Sequence, residues 1–79
     1  MNHRLIKILK QLKKETPEQT DLKTLTVIIV ENTAINNPRG LKDMVNMFIM
    51  LGALEPSENG KVFTLNHDVI GRLIGEKKA

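Results

Sequence analysis

Hydrophobic positions near the start of the chain recur at helical spacing. Between residues 2 and 14, apolar side chains occupy the positions of one helix face, and mostly basic side chains fill the others. The apolar members are Leu5, Ile6, Ile8, Leu9 and Leu12. Spacings of three and four residues bring such positions together on an α-helix. The pattern therefore predicts an amphipathic helix over residues 2–14.

Two start signals compete for the beginning of a second helix. Thr16 can act as an N-terminal cap, Pro17 suits the first helical position, and Gln19 can close a capping box. Thr20 and Asp21 offer another start four residues later. Both signals predict a helix after the first one, and the sequence alone leaves its first residue open.

Residues 22–35 combine a helical stripe with a run that is typical of strands. The stripe consists of Leu22, Leu25, Ile29 and Thr33. The run at 27–30 is rich in β-branched residues, which favour a buried strand. Length and the upstream caps favour a helix over the whole segment. A short extended piece around Leu25 stays open as an alternative.

The sequence Asn36-Asn37-Pro38 predicts the start of a third helix. Asn36 tolerates the left-handed conformation after a helix, Asn37 can cap the next helix, and Pro38 fits its first position. Gly52 is well placed to end this helix. Its predicted buried face consists of Leu41, Met44, Val45, Phe48 and Leu51.

After Gly52 the pattern is that of a β-hairpin. Residues 53–55 and 61–65 predict two paired strands around a turn that contains Asn59-Gly60. Asn-Gly is a strong hairpin signal, because both residue types tolerate positive φ. A short last helix follows, capped by Asn66 or Asp68. Its apolar positions are Val69, Ile70, Leu73 and Ile74.

Length and composition indicate one small domain over residues 1–79, without a repeat or a long linker. Hydrophobic residues make up 41% of the chain, but it has only two Phe and neither Trp nor Tyr, so the core must be aliphatic. A core of this size favours a homodimer, since pairing buries further apolar surface.

Residues that carry out catalysis or hold metals are sparse. The chain has no Cys, its two His residues stand far apart at His3 and His67, and its glycines form no phosphate-binding loop. We therefore predict no catalytic residue, no metal site and no cofactor, and thus no enzyme. The apolar run at residues 27–30 is too short for a bilayer, and no signal peptide is recognisable. We expect a cytoplasmic protein with no membrane partner.

The stretch of residues 36–65, a capped helix that leads through Leu-Gly-Ala-Leu into an Asn-Gly hairpin, resembles the winged helix-turn-helix family of small prokaryotic, archaeal and viral regulators. The resemblance implies an α+β fold with a three-helix core, a β-hairpin wing and a short C-terminal helix. It also implies sequence-specific binding of double-stranded DNA, transcriptional regulation by promoter occupancy, and a homodimer through the terminal helices. The segment 15–24 is longer than is typical of the family, and the extended piece around Leu25 would match its minor strand.

In a helix-turn-helix motif, the second helix places its N-terminal residues against base edges. The outward positions of the third predicted helix are Arg39, Gly40, Lys42, Asp43 and Asn46. Arg39 or Lys42 can donate to guanine, Asn46 can bond adenine, and Asp43 can accept from cytosine, whereas Gly40 leaves room for a phosphate. On the wing, the predicted contacts to the DNA backbone are Ser57, Asn59 and Lys61.

Charge and methionine content keep two other interpretations open. The net charge is +3, and five of the twelve basic residues stand within residues 1–14. Four of them, Arg4, Lys7, Lys10 and Lys14, line one ridge, which suits either a solvated back face or an anionic surface. Met44, Met47 and Met50 recur in the third helix. A winged-helix protein-interaction module that uses this methionine-bearing face or the hairpin edge is the alternative function.

Overall fold

The computed structural model describes residues 3–75. Along these residues it has helices α1 His3–Glu15, α2 Leu22–Thr33, α3 Pro38–Met50 and α4 His67–Leu73, and strands β1 Gln19–Asp21, β2 Leu54–Pro56 and β3 Val62–Leu65. The strands form one antiparallel sheet in the order β1-β3-β2. The α+β class and the predicted order of helices and hairpin are confirmed, with one additional strand. This arrangement is compatible with a winged helix-like fold.

Helix α1 confirms the first prediction from His3 onward, whereas residue 2 lies outside the described residues. The helix packs mainly on α2 and α4. Ile8, Leu9 and Leu12 are fully buried, as expected for the apolar face of an amphipathic helix. A side-chain hydrogen bond also joins α1 to α2, because Asn32 Nδ2 donates to Gln11 Oε1 at 2.8 Å. The basic positions of α1 are left on its outer side.

The first of the two predicted start signals is wrong. Thr16 closes α1 instead of opening α2, since its backbone N–H and its hydroxyl both donate to the carbonyl of Leu12. The residues that follow form β1, in which Thr20 is buried opposite Phe63 of β3. The strand begins at Gln19, which the sequence pattern had placed in a capping box. The extended segment thus lies before α2, and the alternative of a strand around Leu25 is wrong.

The second start signal is confirmed at Asp21. Its carboxylate accepts a hydrogen bond of 2.7 Å from the backbone N–H of Thr24, so Asp21 is both the last residue of β1 and the cap of α2. The β-branched run at 27–30 is helical, with Ile28 and Ile29 buried and its two valines exposed. Two adjacent buried positions in a helix therefore account for this β-branched run, and no strand is needed.

The connection between α2 and α3 differs from the prediction at one residue. Ala34, not Asn36, takes the left-handed conformation, with φ 61°, and its N–H donates to the carbonyl of Val30. A left-handed conformation costs a non-glycine residue of the order of 1 kcal/mol. The start of α3 is as predicted: Asn37 caps it by accepting from the N–H of Gly40 at 2.6 Å, and Pro38 is its first residue.

The core lies between the helices and one face of the sheet. It consists of Ile8, Leu9, Leu12, Leu25, Ile28, Ile29, Val45, Phe48, Ala53, Leu54, Phe63, Leu65 and Ile70. Of the face predicted for α3, Val45 and Phe48 are buried and Leu41 and Met44 pack against this core. Leu51 is 40% exposed, because it stands after the end of the helix. Its predicted burial is therefore wrong.

The chain leaves α3 and enters α4 as the sequence indicated. Gly52 follows the helix with φ +83°, a conformation that glycine adopts without strain. At the other side of the hairpin, Asn66 caps α4, since its side chain accepts from the N–H of Val69 at 3.2 Å. His67 Nε2 is hydrogen-bonded to the carbonyl oxygen of Pro17, which ties α4 to the segment before β1.

The cap of α2 predicts a pH dependence of stability. The N–H of Thr24, and next its hydroxyl, stabilise the carboxylate and lower the pKa of Asp21. A lowered folded-state pKa gives stability that is present above the unfolded-state pKa and is lost as the pH falls through the folded value. We expect Asp21→Asn, which keeps the capping oxygen but does not titrate, to lose less stability than the parent between about pH 5 and about pH 3.

Urea midpoints measured across that pH range test this expectation. Asp43→Asn makes the same change of net charge at an exposed position of α3, and its curve should remain parallel to that of the parent. Parallel curves for the parent and Asp21→Asn would show that the cap does not carry the pH dependence.

Candidate nucleic-acid interface

The outward face of α3 carries most of the residues predicted to contact bases. Arg39, Asp43 and Asn46 are exposed, and helical spacing places them on one ridge. Met50 continues the ridge at the C-terminal end of the helix and is 86% exposed. The ridge therefore combines one cation, one carboxylate and one amide, followed by a large apolar side chain in solvent.

Lys42 lies on the side of α3 that faces the hairpin. It is exposed, and together with Asn46 it lines a groove between α3, the start of α2 and the hairpin. Within residues 3–75, no hydrogen-bond acceptor or carboxylate is paired with its ammonium group. Asn46 thus stands between the outward ridge and the groove and is accessible from both.

Gly40 has a packing role that the sequence did not reveal. A Cβ atom at this position would lie 2.8 Å from Ile35 Cγ2 and 3.1 Å from Asn37 Oδ1. Its N–H already donates to Asn37 Oδ1, so that donor is occupied by the helix cap. The residues that connect α2 to α3 pack so close to Gly40 that a side chain would not fit. This packing accounts for a glycine at this position without a phosphate contact.

The hairpin tip is held together by its own polar side chains. Asn59 Oδ1 accepts from the hydroxyl of Ser57 at 2.6 Å and from the N–H of Lys61 at 2.9 Å. Gly60 has φ +68°, whereas Asn59 does not have a positive φ. Ser57 and Asn59 are exposed but are engaged in the turn, so Lys61 is the predicted wing residue whose side chain has no such role.

One cation at the start of α2, Lys23, adjoins the hairpin, and local sequence patterns do not indicate this. Lys23 and Lys61 line one recess together with Leu22 and Asp21. Lys23 is exposed, like Lys61. The antiparallel pairing of β1 with β3 brings these two lysines together, and no local sequence signal predicts that pairing.

The sequence also did not predict a groove that lies beside α3. It has a volume of about 540 Å³. Its lining residues are Leu22, Thr26, Pro38, Leu41, Lys42, Val45, Asn46, Ile49, Pro56, Gly60 and Phe63. On α3 the apolar lining includes a stripe of Leu41, Val45 and Ile49, which lies at the edge of the core because Val45 is buried in it. The sequence shows the apolar residues of this stripe but not the hairpin that turns them into a groove.

The basic ridge of α1 is separate from this face. Arg4, Lys7, Lys10 and Lys14 are exposed, and α1 packs mainly on α2 and α4. It is therefore a second cationic surface on other elements than α3. His3 and His67 are exposed as well, at the two ends of the described chain.

The described part of the chain contains neither a cluster of metal ligands nor a membrane-spanning helix. Among residues 3–75, no three His, Cys, Asp or Glu side chains come together as metal ligands would. Over the same described range, no helix has both the length and the apolar character needed to cross a bilayer. Comparison with known proteins gives no match: no family model, no curated protein and no solved structure is significantly similar to this chain.

The packing of Gly40 gives a testable prediction about stability. Alanine is preferred to glycine inside a helix by about 1 kcal/mol, which alone would make Gly40→Ala stabilising. The contact with the branched side chain of Ile35 opposes this gain, since overpacking costs about 1–3 kcal/mol. We expect Gly40→Ala to lower the free energy of unfolding by about 1 kcal/mol, as measured by urea denaturation.

A double-mutant cycle with Ile35→Ala isolates the cause. Removing the γ-methyl group should make Gly40→Ala much less costly in that background. Asn46→Ala, on the exposed side of the same helix, is the control and should change stability by less than about 0.5 kcal/mol. A stabilised Gly40→Ala single variant would contradict the packing argument.

Proposed function

We propose that this chain is a winged helix-turn-helix protein that binds double-stranded DNA sequence-specifically and regulates transcription by occupying promoters. In this proposal α2 and α3 are the helix-turn-helix, the hairpin of β2 and β3 is the wing, and β1 is the minor strand. The observation that supports it most directly is the start of α3. Its capped N-terminal part presents Arg39, Lys42, Asp43 and Asn46 to solvent beside the hairpin.

The proposed roles follow from the donors and acceptors of each side chain. Arg39 and Lys42 donate to guanine, Asn46 bonds adenine through its amide, and Asp43 accepts from the amino group of cytosine. These four residues lie within about two turns of the helix, the part that enters the major groove in this motif. Gly40 has no contact with DNA in this scheme, since its N–H is already bonded to the cap.

Phosphate contacts come from the hairpin side. Lys61 is the main candidate, and the neighbouring Lys23 adds a second cation at the start of α2. Glu55 and Glu58 are exposed on the same hairpin and reduce its positive potential. We therefore propose that affinity depends on few phosphate contacts, so that base contacts carry a large share of binding. The family resemblance extends the proposal to a homodimer formed through the terminal helices.

Salt dependence gives the first test. Binding of fluorescently labelled duplex DNA, followed by anisotropy between about 50 and 200 mM salt, reports the number of released counterions. We expect Lys42→Ala and Lys61→Ala each to weaken binding and to lower the slope of log affinity against log salt by about one.

Lys14→Ala on α1 is the matched control, because it removes the same charge from an exposed position on another face. Its slope should equal that of the parent. A loss for Lys14→Ala alone would move the DNA contact to the basic ridge of α1. Absence of binding by the parent at low salt would reject the proposed function.

Base specificity gives a second, independent test. After selection of a preferred site from random duplexes, Asn46→Ala should cost about 1–3 kcal/mol of binding free energy on that site and relax the preference at one base pair. The same variant should bind random DNA as well as the parent does. An equal loss on both kinds of DNA would show that Asn46 does not read a base.

A second candidate function is a protein-interaction module, and one observation favours it. Met50 and Leu51 are 86% and 40% exposed, and they stand together at the end of α3. Methionine is common at adaptable contact surfaces, and adjacent exposed apolar side chains mark such surfaces. The protein-interaction module becomes the preferred function if the salt series shows no DNA binding by the parent protein.

A further inference from the structure

The groove beside α3 has the size and the walls of a small-molecule site. Phe63 and Val45, which are almost entirely buried, form its floor, and Leu41 and Ile49 line the α3 side. Pro56 and Gly60 line it on the hairpin side. Ligand pockets in proteins typically have volumes of about 300–1,000 Å³ and mostly apolar linings with a few polar groups. A volume of about 540 Å³ lies within this range.

The polar groups of the groove define the kind of ligand. Among the eleven lining residues, Lys42 alone is charged. The hydroxyl of Thr26 donates to the carbonyl of Leu22, so this donor is not available to a ligand. Lys42 and Asn46 are exposed at the side of the groove that meets the outward face of α3. One cation and one amide beside an apolar floor match a molecule with an apolar body and a single anionic head group.

We propose that this groove binds a small amphipathic carboxylate, with its apolar body on Phe63, Val45 and Ile49 and its carboxylate at Lys42 and Asn46. Charge complementarity favours this ligand. No carboxylate among residues 3–75 is paired with Lys42, and none lines the groove. An anionic head group would therefore be attracted by Lys42 without competition from a carboxylate of the groove. A cationic head group would be repelled by the same lysine.

The location of the groove gives this ligand a regulatory role, and this step rests on the proposed function. Lys42 and Asn46 are also two of the proposed base-contacting residues. A carboxylate held by these side chains occupies donors that DNA needs and places negative charge next to phosphates. The ligand therefore lowers DNA affinity by competition, without a change of conformation.

Three ligands that share one apolar body test the binding site itself, without DNA. Phenylbutyrate, phenylbutanol and phenylbutylammonium differ only in the head group. Titrations followed by two-dimensional proton–nitrogen NMR should give saturable shifts for phenylbutyrate at residues of the groove, with a dissociation constant of about 0.1–1 mM. Phenylbutanol should bind about tenfold more weakly, and phenylbutylammonium more weakly still.

Lys42→Met separates charge from apolar contact, because methionine keeps most of the side-chain stem. It should bind phenylbutyrate about tenfold more weakly and phenylbutanol as the parent does. Lys14→Met on α1 is the control and should not alter either affinity. The spectrum of each variant shows directly whether the fold is retained.

Several results would overturn the inference. These are the absence of saturable shifts, shifts that map outside the groove, equal affinities for the acid and the alcohol, and an unchanged affinity of Lys42→Met. DNA titrations with and without phenylbutyrate then separate the two proposals. Ligand binding without any DNA binding rejects the proposed function alone, and DNA binding without ligand binding rejects the groove site alone. Simultaneous binding of both without competition rejects the regulatory role.

Discussion

The pairing of β1 with β3 is the constraint on which the candidate interface depends. Three residue pairs form the ladder, and backbone hydrogen bonds extend it at both ends, from Leu22 to Lys61 at 2.8 Å and from Leu65 to Glu18 at 3.0 Å. Since Asp21 ends the strand and caps α2, no linker separates the sheet from the helix. A hairpin attached only through α3 and α4 would have more freedom. With β1 in place, the hairpin tip is held beside α2 and α3.

The position of α3 is fixed in a comparable way at its two ends. At its start, the cap by Asn37 and the close contact between Gly40 and Ile35 set the path from α2. At its end, Ala53 donates to the carbonyl of Phe48 and accepts from the N–H of Asn66, which joins α3, the hairpin and α4. The outward ridge is therefore presented on a helix that is held by packing and backbone bonds, and polar functional side chains are best placed on such an element.

Local signals in the sequence were sufficient for the helices and the turn. Helix caps and tight turns involve only residues that are close in sequence. The structural roles of Asn37-Pro38, Asn66 and Asn59-Gly60 can therefore be derived from the sequence alone. Strand β1 could not be derived in this way. It has three residues, only Thr20 among them is buried, and its partner strand lies far along the chain. Thr16 and Gln19 gave a false helix start because capping motifs describe only local geometry.

The features of the candidate site also divide into those that local sequence patterns predict and those that they do not. Exposure of Arg39, Lys42, Asp43 and Asn46 followed from helical periodicity, since each lies off the buried stripe. The groove and the proximity of Lys23 to Lys61 did not follow, because both require the hairpin to lie against the helices. Exposure of Leu51 depended on the last residue of α3, which periodicity does not define. Exposure on a single element could be predicted from the sequence, whereas surfaces built by two elements could not.

The short ladder between β1 and β3 also determines how this protein acquires its structure. Helices and the hairpin of β2 and β3 form from contacts between near neighbours, whereas Thr20 and Phe63 must meet across about half of the chain. Closing that long loop costs entropy before the three-residue ladder returns any stabilisation. We therefore expect the helices to form early and the ladder to form late. In the native state we expect the same ladder, which is short and includes the edge strand β1, to open locally more readily than the core.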